Sequence, residues 1–290
     1  MGRLNYKVPS SVKGKTVLIT GANTGIGRTA ALALAAQGAR LFLAGRSEER
    51  TRPVIDEIDA LGGPKAEYLA LDLGSFESVR ACAAAFKATG APLDILINNA
   101  GLAGFKGLTK DGFEMMFGVN HLGHFLLTLE LLELLVDASP SRIVHVASRA
   151  HTRVKKVDLD GIRAPATTTT GMPEYSSSKL ANILFSNELA RRLEGTGVTS
   201  YALHPGVVAS DVWREVPWPI RDIMKFFMIS NEEGAMTTLY CATAEEVAGH
   251  SGRYYDECKE KKPTSAALDE AAAKVLWDKS LEWTGATWPL

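Results

Sequence analysis

The sequence predicts an α/β fold, a Rossmann-type doubly wound parallel sheet with helices on both faces, folded as a single domain over residues 1–290. Short apolar runs typical of buried strands alternate with helical segments from residue 16 to residue 203. A run with three glycines separates the first strand from the first helix. Because strands separated by helices need crossover connections, the alternation indicates right-handed βαβ units.

The first βαβ unit is the clearest part of this pattern. Residues 16–20 form a short apolar run that predicts a buried strand, and residues 28–37 are rich in the helix formers alanine and leucine. Gly38 stands where a left-handed residue would end that helix. Residues 40–44 form the second apolar run and the second predicted strand.

The same alternation continues to residue 203. Ser75 is a residue type that caps helix N-termini, and it begins a predicted helix at 75–87. No linker rich in Pro, Gly or Ser divides the chain, which favours one domain. The other predicted strands are 66–71, 93–97, 142–147 and 198–203, and the other predicted helices are 48–60, 113–136, 174–193 and the alanine-rich segment 265–283.

Charge and composition exclude several classes of protein. The formal net charge is −1, so no basic field favours binding to nucleic acid. The longest apolar stretch, residues 125–136, is too short and too polar to be an integral membrane segment. Three cysteines form neither an even framework nor a C-x-x-C pair, so we expect a reduced, cytoplasmic location.

The glycine run has the spacing of Gly21, Gly25 and Gly27, and it follows a strand and opens a helix. That context separates a dinucleotide-binding loop from a chance match. Glycine allows the backbone to approach a pyrophosphate closely, and a helix N-terminus offers unpaired N–H groups to the anion. The alternative is a glycine-rich turn that binds no ligand.

The end of the second predicted strand indicates which dinucleotide is bound. An NAD site typically places a carboxylate there, on the ribose 2′-hydroxyl. This chain has Arg46 instead, and a guanidinium forms paired hydrogen bonds with a 2′-phosphate. We therefore expect NADP, as NADPH, rather than NAD. In the alternative, Arg46 merely begins a surface loop and Glu48 or Glu49 bends back to the ribose.

Tyr175 and Lys179 are four residues apart in a predicted helix, so they share one face of it. A tyrosine of ordinary pKa exchanges protons poorly at neutral pH, and a nearby ammonium group lowers that pKa. We expect Tyr175 to donate the proton that accompanies a hydride in carbonyl reduction, and to accept it in alcohol oxidation. Lys179 would lower the pKa of Tyr175 and could also hold the nicotinamide ribose.

Further polar residues lie where the strands end. Ser148 follows the strand 142–147, at the edge of the sheet where such folds bind ligands, and could hold a substrate oxygen. The small residues of the segment 98–101 would let the backbone run close to the cofactor. Asn120 stands in an apolar stretch, either as a core residue that satisfies backbone groups or as the anchor of a water chain that carries protons to Lys179.

Together these motifs resemble the short-chain dehydrogenase/reductase family over nearly the whole chain. Residues 119–125 and 203–208 resemble its retinol dehydrogenase-like branch in particular. The resemblance implies an NADP-dependent oxidoreductase acting on a lipophilic aldehyde or ketone, or on the corresponding alcohol; retinal-like, steroid, polyketide and fatty carbonyls all fit. The matching positions are Thr20, Gly21, Gly25, Ile26, Gly27, Asp72, Leu73, Asn98, Asn99, Ala100, Gly101, Asn120, Ser148, Tyr175, Lys179, Pro205 and Gly206.

The resemblance also implies roles for individual residues. It implies that Asp72 approaches the adenine, that Asn99 lies along the cofactor and that Val208 covers the nicotinamide. Family members often pair through their long helices, so we expect a homodimer or homotetramer. The implied catalytic residues are Asn120, Ser148, Tyr175 and Lys179. The predicted cofactor-binding residues are Gly21, Asn23, Thr24, Gly25, Ile26, Gly27, Arg46, Asp72, Leu73, Asn99, Ala100, Gly101, Tyr175, Lys179, Pro205, Gly206 and Val208.

The chain departs from the family pattern near the cofactor. Thr24 stands where many NADP-dependent members have a basic residue, so Arg46 would act with help from Arg28 or Ser47. Ser210 stands where the family often has a threonine.

A segment after the last predicted strand, residues 207–232, mixes aromatic residues and prolines with other apolar side chains. We expect it to be a lid that covers an apolar substrate and excludes water. A helix packed on the body, or shallow membrane contact through Trp218, Phe226 and Phe227, are the alternatives.

Two other functions and a metal site also need consideration. A non-catalytic NADP-binding sensor need not keep a full set of catalytic residues. A sugar-nucleotide epimerase or dehydratase also uses Tyr-x-x-x-Lys, but usually with a larger C-terminal domain than the stretch after Pro205 provides. His121 and His124 lack a third ligand and an H-E-x-x-H pattern, so we predict no metal.

Overall fold

A parallel sheet covered by helices on both faces forms the centre of the molecule. The computed structural model describes residues 6–206 and 229–290 of the chain. The strands in these residues are β1 Thr16–Thr20, β2 Arg40–Gly45, β3 Glu67–Ala70, β4 Ile95–Asn98, β5 Ser141–Val146, β6 Val198–His204, β7 Arg253–Asp256 and β8 Lys259–Glu260. The helices are α1 Gly25–Ala35, α2 Glu48–Asp59, α3 Phe76–Ala88, α4 Met115–Phe117, α5 Gly123–Glu130, α6 Leu132–Asp137, α7 Met172–Arg192, α8 Asn231–Thr243 and α9 Glu270–Thr284.

The order of the strands confirms the predicted doubly wound topology. In the described part of the chain they run β3-β2-β1-β4-β5-β6-β7-β8, and only β7 and β8 pair antiparallel. Successive β1 side chains point to opposite faces, so Val17 and Ile19 join one core and Leu18 the other. The strand order reverses between β1 and β4, which is where this class of fold binds its ligands.

The predicted long helix at 113–136 is interrupted, and this part of the prediction was wrong. Residues Gly118–Leu122 form a π-helical turn between α4 and α5. The Gly123 N–H accordingly donates to the Gly118 carbonyl, five residues earlier. A Cβ on Gly118 would lie 2.4 Å from a Thr109 methyl, and one on Gly123 would lie 2.5 Å from the Leu73 carbonyl oxygen. Close packing at both ends therefore holds the extra residue of the π-helical turn in place. Such turns often mark functional sites.

The C-terminal region differs most from the expectation. Strands β7 and β8 were not predicted, because four- and two-residue runs with charged ends carry little periodic signal. Pairing defines them instead: Tyr201 to His204 of β6 pair in register with Arg253 to Asp256 of β7, and β8 pairs with β7. The predicted helix 265–283 is a 3-10 turn at Ser265–Leu268 followed by α9. Of the predicted lid 207–232, residues 207–228 lie outside the described residues.

Helix α7 is buried along most of its length. Every residue from Tyr175 to Leu189 is buried, and α9 covers α7 on the outside with Trp277, which is 2% exposed. A helix packed on all sides is fixed in rotation, so the direction of each side chain is determined. Among the described residues, no helix combines the length and the apolar character needed to cross a membrane.

Three histidines are buried in the core between the sheet and α7. They are His121, His124 and His145, each no more than 2% exposed. Burial penalises the charged form and lowers their pKa values to about 3, 4 and 3 respectively. The native state therefore holds them neutral at physiological pH.

These histidines should make the protein sensitive to acid. Below pH 6.5 the unfolded chain binds protons that the folded chain excludes until about pH 3 or 4. The free energy of unfolding should therefore fall with pH, by about 1.4 kcal/mol per pH unit for each histidine. Urea unfolding at pH 7, 6 and 5 measures this slope. His145→Phe should reduce it, whereas replacing the exposed His250 with Asn should not. Equal slopes for wild type and His145→Phe would contradict the assignment.

Candidate active site

One cavity lies at the carboxyl ends of β1, β4, β5 and β6. Its volume is about 640 Å³, and nearly all the residues predicted from the sequence line it. Of the remaining two, Asn120 is buried behind the wall, and Val208 lies outside the described residues. The predicted residues that line the cavity are Gly21, Asn23, Thr24, Gly25, Ile26, Gly27, Arg46, Asp72, Leu73, Asn99, Ala100, Gly101, Ser148, Tyr175, Lys179, Pro205 and Gly206.

The glycine turn needs its glycines for two separate reasons. Gly21 has a φ of 69°, and a Cβ there would lie 2.9 Å from the Cβ of Ala100. A Cβ on Gly27 would lie 2.5 Å from Asn99 Nδ2 and from the Gly21 carbonyl oxygen. The turn is therefore compact, with bare backbone and the start of α1 facing the cavity. This shape fits the pyrophosphate of a dinucleotide, which binds to backbone N–H groups at a helix N-terminus.

The turn is held in place from the neighbouring strand. Asn99 Nδ2 donates to the carbonyls of Thr20 and Gly21 at 2.9 and 3.2 Å. The Thr20 hydroxyl in turn accepts hydrogen bonds from the N–H groups of Asn99 and Ala100, both at 3.0 Å. Asn99 thus acts on the turn as well as lining the cavity. The sequence did not single out Thr20 for this anchoring role, since a buried threonine at a strand end has no distinctive pattern.

The far end of the cavity is basic where β2 ends. Arg46 is exposed and lines the cavity together with Arg50, which the sequence analysis did not identify. Glu48 pairs with Arg52, and neither Glu48 nor Glu49 lines the cavity. The bent-back carboxylate is therefore not observed.

Arg28 and Ser47, which we expected to assist Arg46 in binding a 2′-phosphate, are both engaged elsewhere. Arg28 pairs with Glu57, and the Ser47 hydroxyl caps α2 by accepting from the Arg50 N–H at 3.2 Å.

Asp72, which we expected to approach the adenine, caps its own turn, with Oδ1 accepting from the Gly74 N–H at 3.0 Å. Its other oxygen lies 3.9 Å from the ammonium of Lys110.

Tyr175, Ser148 and Lys179 meet at the opposite end of the cavity. The side chains of Tyr175 and Ser148 are hydrogen-bonded to each other. Ser148 is fixed as the cap of a 3-10 turn, where its Oγ accepts from the Ala150 N–H at 3.1 Å. Lys179 Nζ lies 5.7 Å from the centre of the Tyr175 ring and donates to the Val146 carbonyl at 2.8 Å. The predicted shared face of α7 is confirmed.

The electrostatics of this group differ from the expectation. Burial raises the pKa of Tyr175 above its usual value, and the hydrogen bond from Ser148 opposes that rise only in part. Burial also lowers the pKa of Lys179 to about 8. Loss of water around both groups therefore outweighs the lowering of the tyrosine pKa that we expected from the lysine. The phenol stays protonated at neutral pH, ready to donate its proton.

Asn120 lies in the π-helical turn, beside the cavity rather than in its wall. Its side chain clamps Leu102, accepting from the N–H at 2.8 Å and donating to the carbonyl at 3.0 Å. It also donates to the Ser178 hydroxyl at 3.0 Å. A Cβ on Gly101 would lie 3.5 Å from Asn120 Oδ1 and 3.4 Å from Lys179 Nζ. The two polar atoms therefore flank one point, and a proton relay between them would need a bridging water.

The remaining cavity wall is apolar with a basic rim, and these residues were not predicted. The rim residues Arg149 and Arg153 follow Ser148 in its 3-10 turn. His204, which we interpreted as a strand-end residue, also lines the cavity and is 3% exposed. The apolar residues of the wall include Phe105, Leu108, Met115 and Met172.

His121 and His124 are engaged in core packing. Nε2 of His121 lies 3.0 Å from the Ser280 hydroxyl, and its ring packs against those of Phe117 and Phe185. Within residues 6–206 and 229–290, no group of three His, Cys, Asp or Glu side chains is arranged to hold a metal ion.

Comparison with known proteins agrees with this geometry. The sequence profile of the short chain dehydrogenase family matches residues 15–159. Retinol dehydrogenase 12 of Mus musculus is 43% identical over 98% of this chain and 89% of its own length.

Solved structures give the same result. An uncharacterised protein from Mycobacterium paratuberculosis is 31% identical with a TM-score of 0.77, over 98% of this chain and 97% of its own. A Beutenbergia cavernae protein, described as an NAD(P)-dependent gluconate 5-dehydrogenase and solved with NADP, is 25% identical with a TM-score of 0.68, over 86% and 97% of the two chains. Fold, site and kinship agree, and the chain belongs to the short-chain dehydrogenase/reductase family of NAD(P)-binding oxidoreductases.

Proposed function

We propose that this protein is an NADPH-dependent carbonyl reductase that also works in reverse as an alcohol dehydrogenase. The observation that carries the proposal is the hydrogen-bonded pair of Tyr175 and Ser148, with Lys179 beside it, in the same cavity as the glycine turn. A proton donor, a group to hold the substrate oxygen and a dinucleotide cradle are thereby brought together. These are the parts that transfer of a hydride and a proton to a carbonyl requires.

The residues divide the chemistry between them. When bound, NADPH supplies the hydride that the carbonyl carbon accepts. Ser148 holds the carbonyl oxygen by a hydrogen bond, and Tyr175 donates its phenolic proton to that oxygen as the C=O double bond becomes a C–O single bond. The phenolate regains a proton from solvent by way of Lys179 and a water that bridges Lys179 and Asn120. In the reverse direction Tyr175 accepts the proton of the alcohol.

The preference for NADPH over NADH rests on charge at the end of β2. A 2′-phosphate is an anion, and the side chains that line this part of the cavity include Arg46 and Arg50. Glu48 and Glu49, the acidic residues that follow β2, do not line it. A guanidinium attracts the phosphate of NADPH and offers no comparable contact to the hydroxyl of NADH.

The proposed substrate is a lipophilic aldehyde or ketone. The wall near Tyr175 includes Phe105, Met115 and Met172, which favour apolar groups. Kinship with retinol dehydrogenase 12 makes retinal a suitable first compound in a panel of carbonyls graded by size and polarity.

Location and assembly are further parts of the proposal. Three free cysteines, two of them buried, support a reduced compartment such as the cytoplasm. The chain's own packing buries α7 from Tyr175 to Leu189, so a homo-oligomer would use another surface than this helix.

The first test replaces the proton donor. Tyr175→Phe removes the phenolic hydroxyl and keeps the ring, so NADPH-dependent carbonyl reduction should fall about a hundredfold or more. The NADPH dissociation constant should stay within about twofold, because the ring and the rest of the cavity remain. Steady-state NADPH consumption and fluorescence titration measure the two quantities.

Tyr255→Phe is the matched control for this test. Its hydroxyl is buried, has no hydrogen-bond partner among the described residues and does not line the cavity. Turnover should therefore be retained in this variant. If Tyr175→Phe retained wild-type turnover as well, the proposed role of Tyr175 would be refuted.

The second test addresses the choice of cofactor. Arg46→Gln removes the cation opposite the expected 2′-phosphate, so the KM for NADPH should rise about tenfold or more. The KM for NADH should change little, because NADH lacks that phosphate. Arg40→Gln is the control, since Arg40 begins the same strand and pairs with Glu67 at 2.7 Å. An equal rise for both cofactors, or no rise for NADPH, would be inconsistent with the proposal.

A further inference from the structure

His124 occupies a position that the chemistry proposed above does not use. It is 2% exposed and lies two residues after the end of the π-helical turn, in the first turn of α5. Its Nε2 lies 2.9 Å from the Thr20 hydroxyl, and its Nδ1 lies 3.1 Å from the backbone carbonyl oxygen of Asn120. One imidazole thus connects the strand that ends in the glycine turn to the residue that clamps Leu102.

The partners of His124 determine its tautomer. A carbonyl oxygen only accepts hydrogen bonds, so Nδ1 must carry the hydrogen and donate it to Asn120. Nε2 of the neutral ring is then an acceptor, and the Thr20 hydroxyl must be the donor. Burial lowers the pKa of His124 to about 4, in agreement with a neutral ring.

The Thr20 hydroxyl is fully used by this arrangement. It donates to His124 and accepts from the N–H groups of Asn99 and Ala100. A hydroxyl has one donor and two acceptor positions, so all three are occupied. The direction of the Thr20 O–H, and with it both acceptor directions, therefore depends on Nε2 of His124. Asn99 in turn donates to the Thr20 and Gly21 carbonyls that begin the glycine turn.

We propose that His124 is a positioning residue for cofactor binding: its neutral Nδ1–H tautomer orients the Thr20 hydroxyl, which sets the distance between the glycine turn and the segment Asn99–Gly101. Both segments line the cavity, and His124 itself does not. Loss of the imidazole would leave the Thr20 hydroxyl with only the more distant Ile97 carbonyl oxygen, 3.5 Å away, as an acceptor. The Asn120 carbonyl would lose this donor. The two walls that face the dinucleotide would then lose their fixed spacing. The inference rests on the proposed dinucleotide binding at this turn.

The other two histidines of the core between the sheet and α7 do not share this arrangement. His121 has its Nε2 beside Ser280 of α9, and the ring of His145 packs against that of Phe185. Neither contacts Thr20 or lines the cavity. His121, which is 0% exposed, therefore provides a control of similar burial.

The experiment is a double-mutant cycle read out by NADPH binding. His124→Phe keeps an aromatic ring of similar size, and it should raise the NADPH dissociation constant about tenfold. In a Thr20→Val background the same change should cost less than about twofold, because the hydroxyl it acts through is gone. In a Thr20→Ser background, which keeps the hydroxyl, the full cost should return. His121→Phe should leave NADPH binding unchanged even where the thermal midpoint falls.

Each outcome separates the inference from the function on which it rests. If wild type binds neither NADPH nor NADH, the proposed function and this inference both fail. If wild type binds NADPH and His124→Phe binds it equally well, or if the two changes are additive, only the inference fails. An equal loss in His121→Phe would also overturn it, because the effect would then follow from core packing.

A measurement on the unmodified protein tests the tautomer directly. Two-bond ¹H–¹⁵N correlation spectra at neutral pH should show a protonated Nδ1 for His124, identified by the signal that is absent in His124→Gln. His151, whose Nδ1 lies 2.7 Å from the Ser148 carbonyl oxygen, should show the same tautomer and keep its signal in that variant. A protonated Nε2 at His124 would contradict the proposal, since that nitrogen could not accept from Thr20. This result does not depend on whether His124→Phe folds.

Discussion

The candidate active site depends on the burial of two ionisable groups on one helix. The chain encloses Tyr175 and Lys179 on α7, which fixes the phenol and the amine relative to each other. Enclosure removes water from both groups, so each must find its polar partners within the protein. Lys179 uses the Val146 carbonyl, and Tyr175 uses Ser148, two residues further along the chain. The end of β5 thereby holds both groups of α7.

Polar groups at the other strand ends are likewise paired within the protein. Backbone groups left unpaired where β1 and β4 stop are satisfied by side chains from the neighbouring segment. Asn99 bonds to the carbonyls at the end of β1, and Thr20 receives the N–H groups that follow β4. Because each bond crosses from one strand end to the next, the edge of the sheet is held together as a unit. A cavity built on that edge keeps its shape without relying on the loops beyond it.

Burial also explains why the proposed catalytic group differs electrostatically from the simplest expectation. A lysine in water would lower the pKa of a neighbouring tyrosine. Here the pKa of Lys179 itself is lowered to about 8, and that of Tyr175 is raised. A phenol that stays protonated suits proton donation during carbonyl reduction. The ammonium of Lys179 matters more in the reverse direction, where Tyr175 must lose its proton first.

The sequence predicted the structural features that depend on the local hydrophobic pattern and on residue type. Six strands, the glycine turn and the positions of Tyr175 and Ser148 were found, because apolar runs and short motifs carry them. The π-helical turn around Asn120 was not found, because an inserted residue leaves the apolar pattern of a helix nearly unchanged.

Features that depend on tertiary contacts were also missed. Strand β7 is defined only by pairing with β6, and the shifts in pKa depend on burial that no motif encodes. The bonds of Thr20 to Asn99 and His124 join residues about 80 and 100 positions apart, so spacing gave no sign of them.

The central claim is that Tyr175 and the glycine turn serve one bound dinucleotide. A crystal structure of the protein with NADPH tests it most directly. The account predicts the pyrophosphate on the backbone of the glycine turn, the 2′-phosphate beside Arg46, and the nicotinamide ring in contact with Tyr175 and Lys179. A dinucleotide bound with its nicotinamide away from Tyr175, or bound outside this cavity, would contradict it.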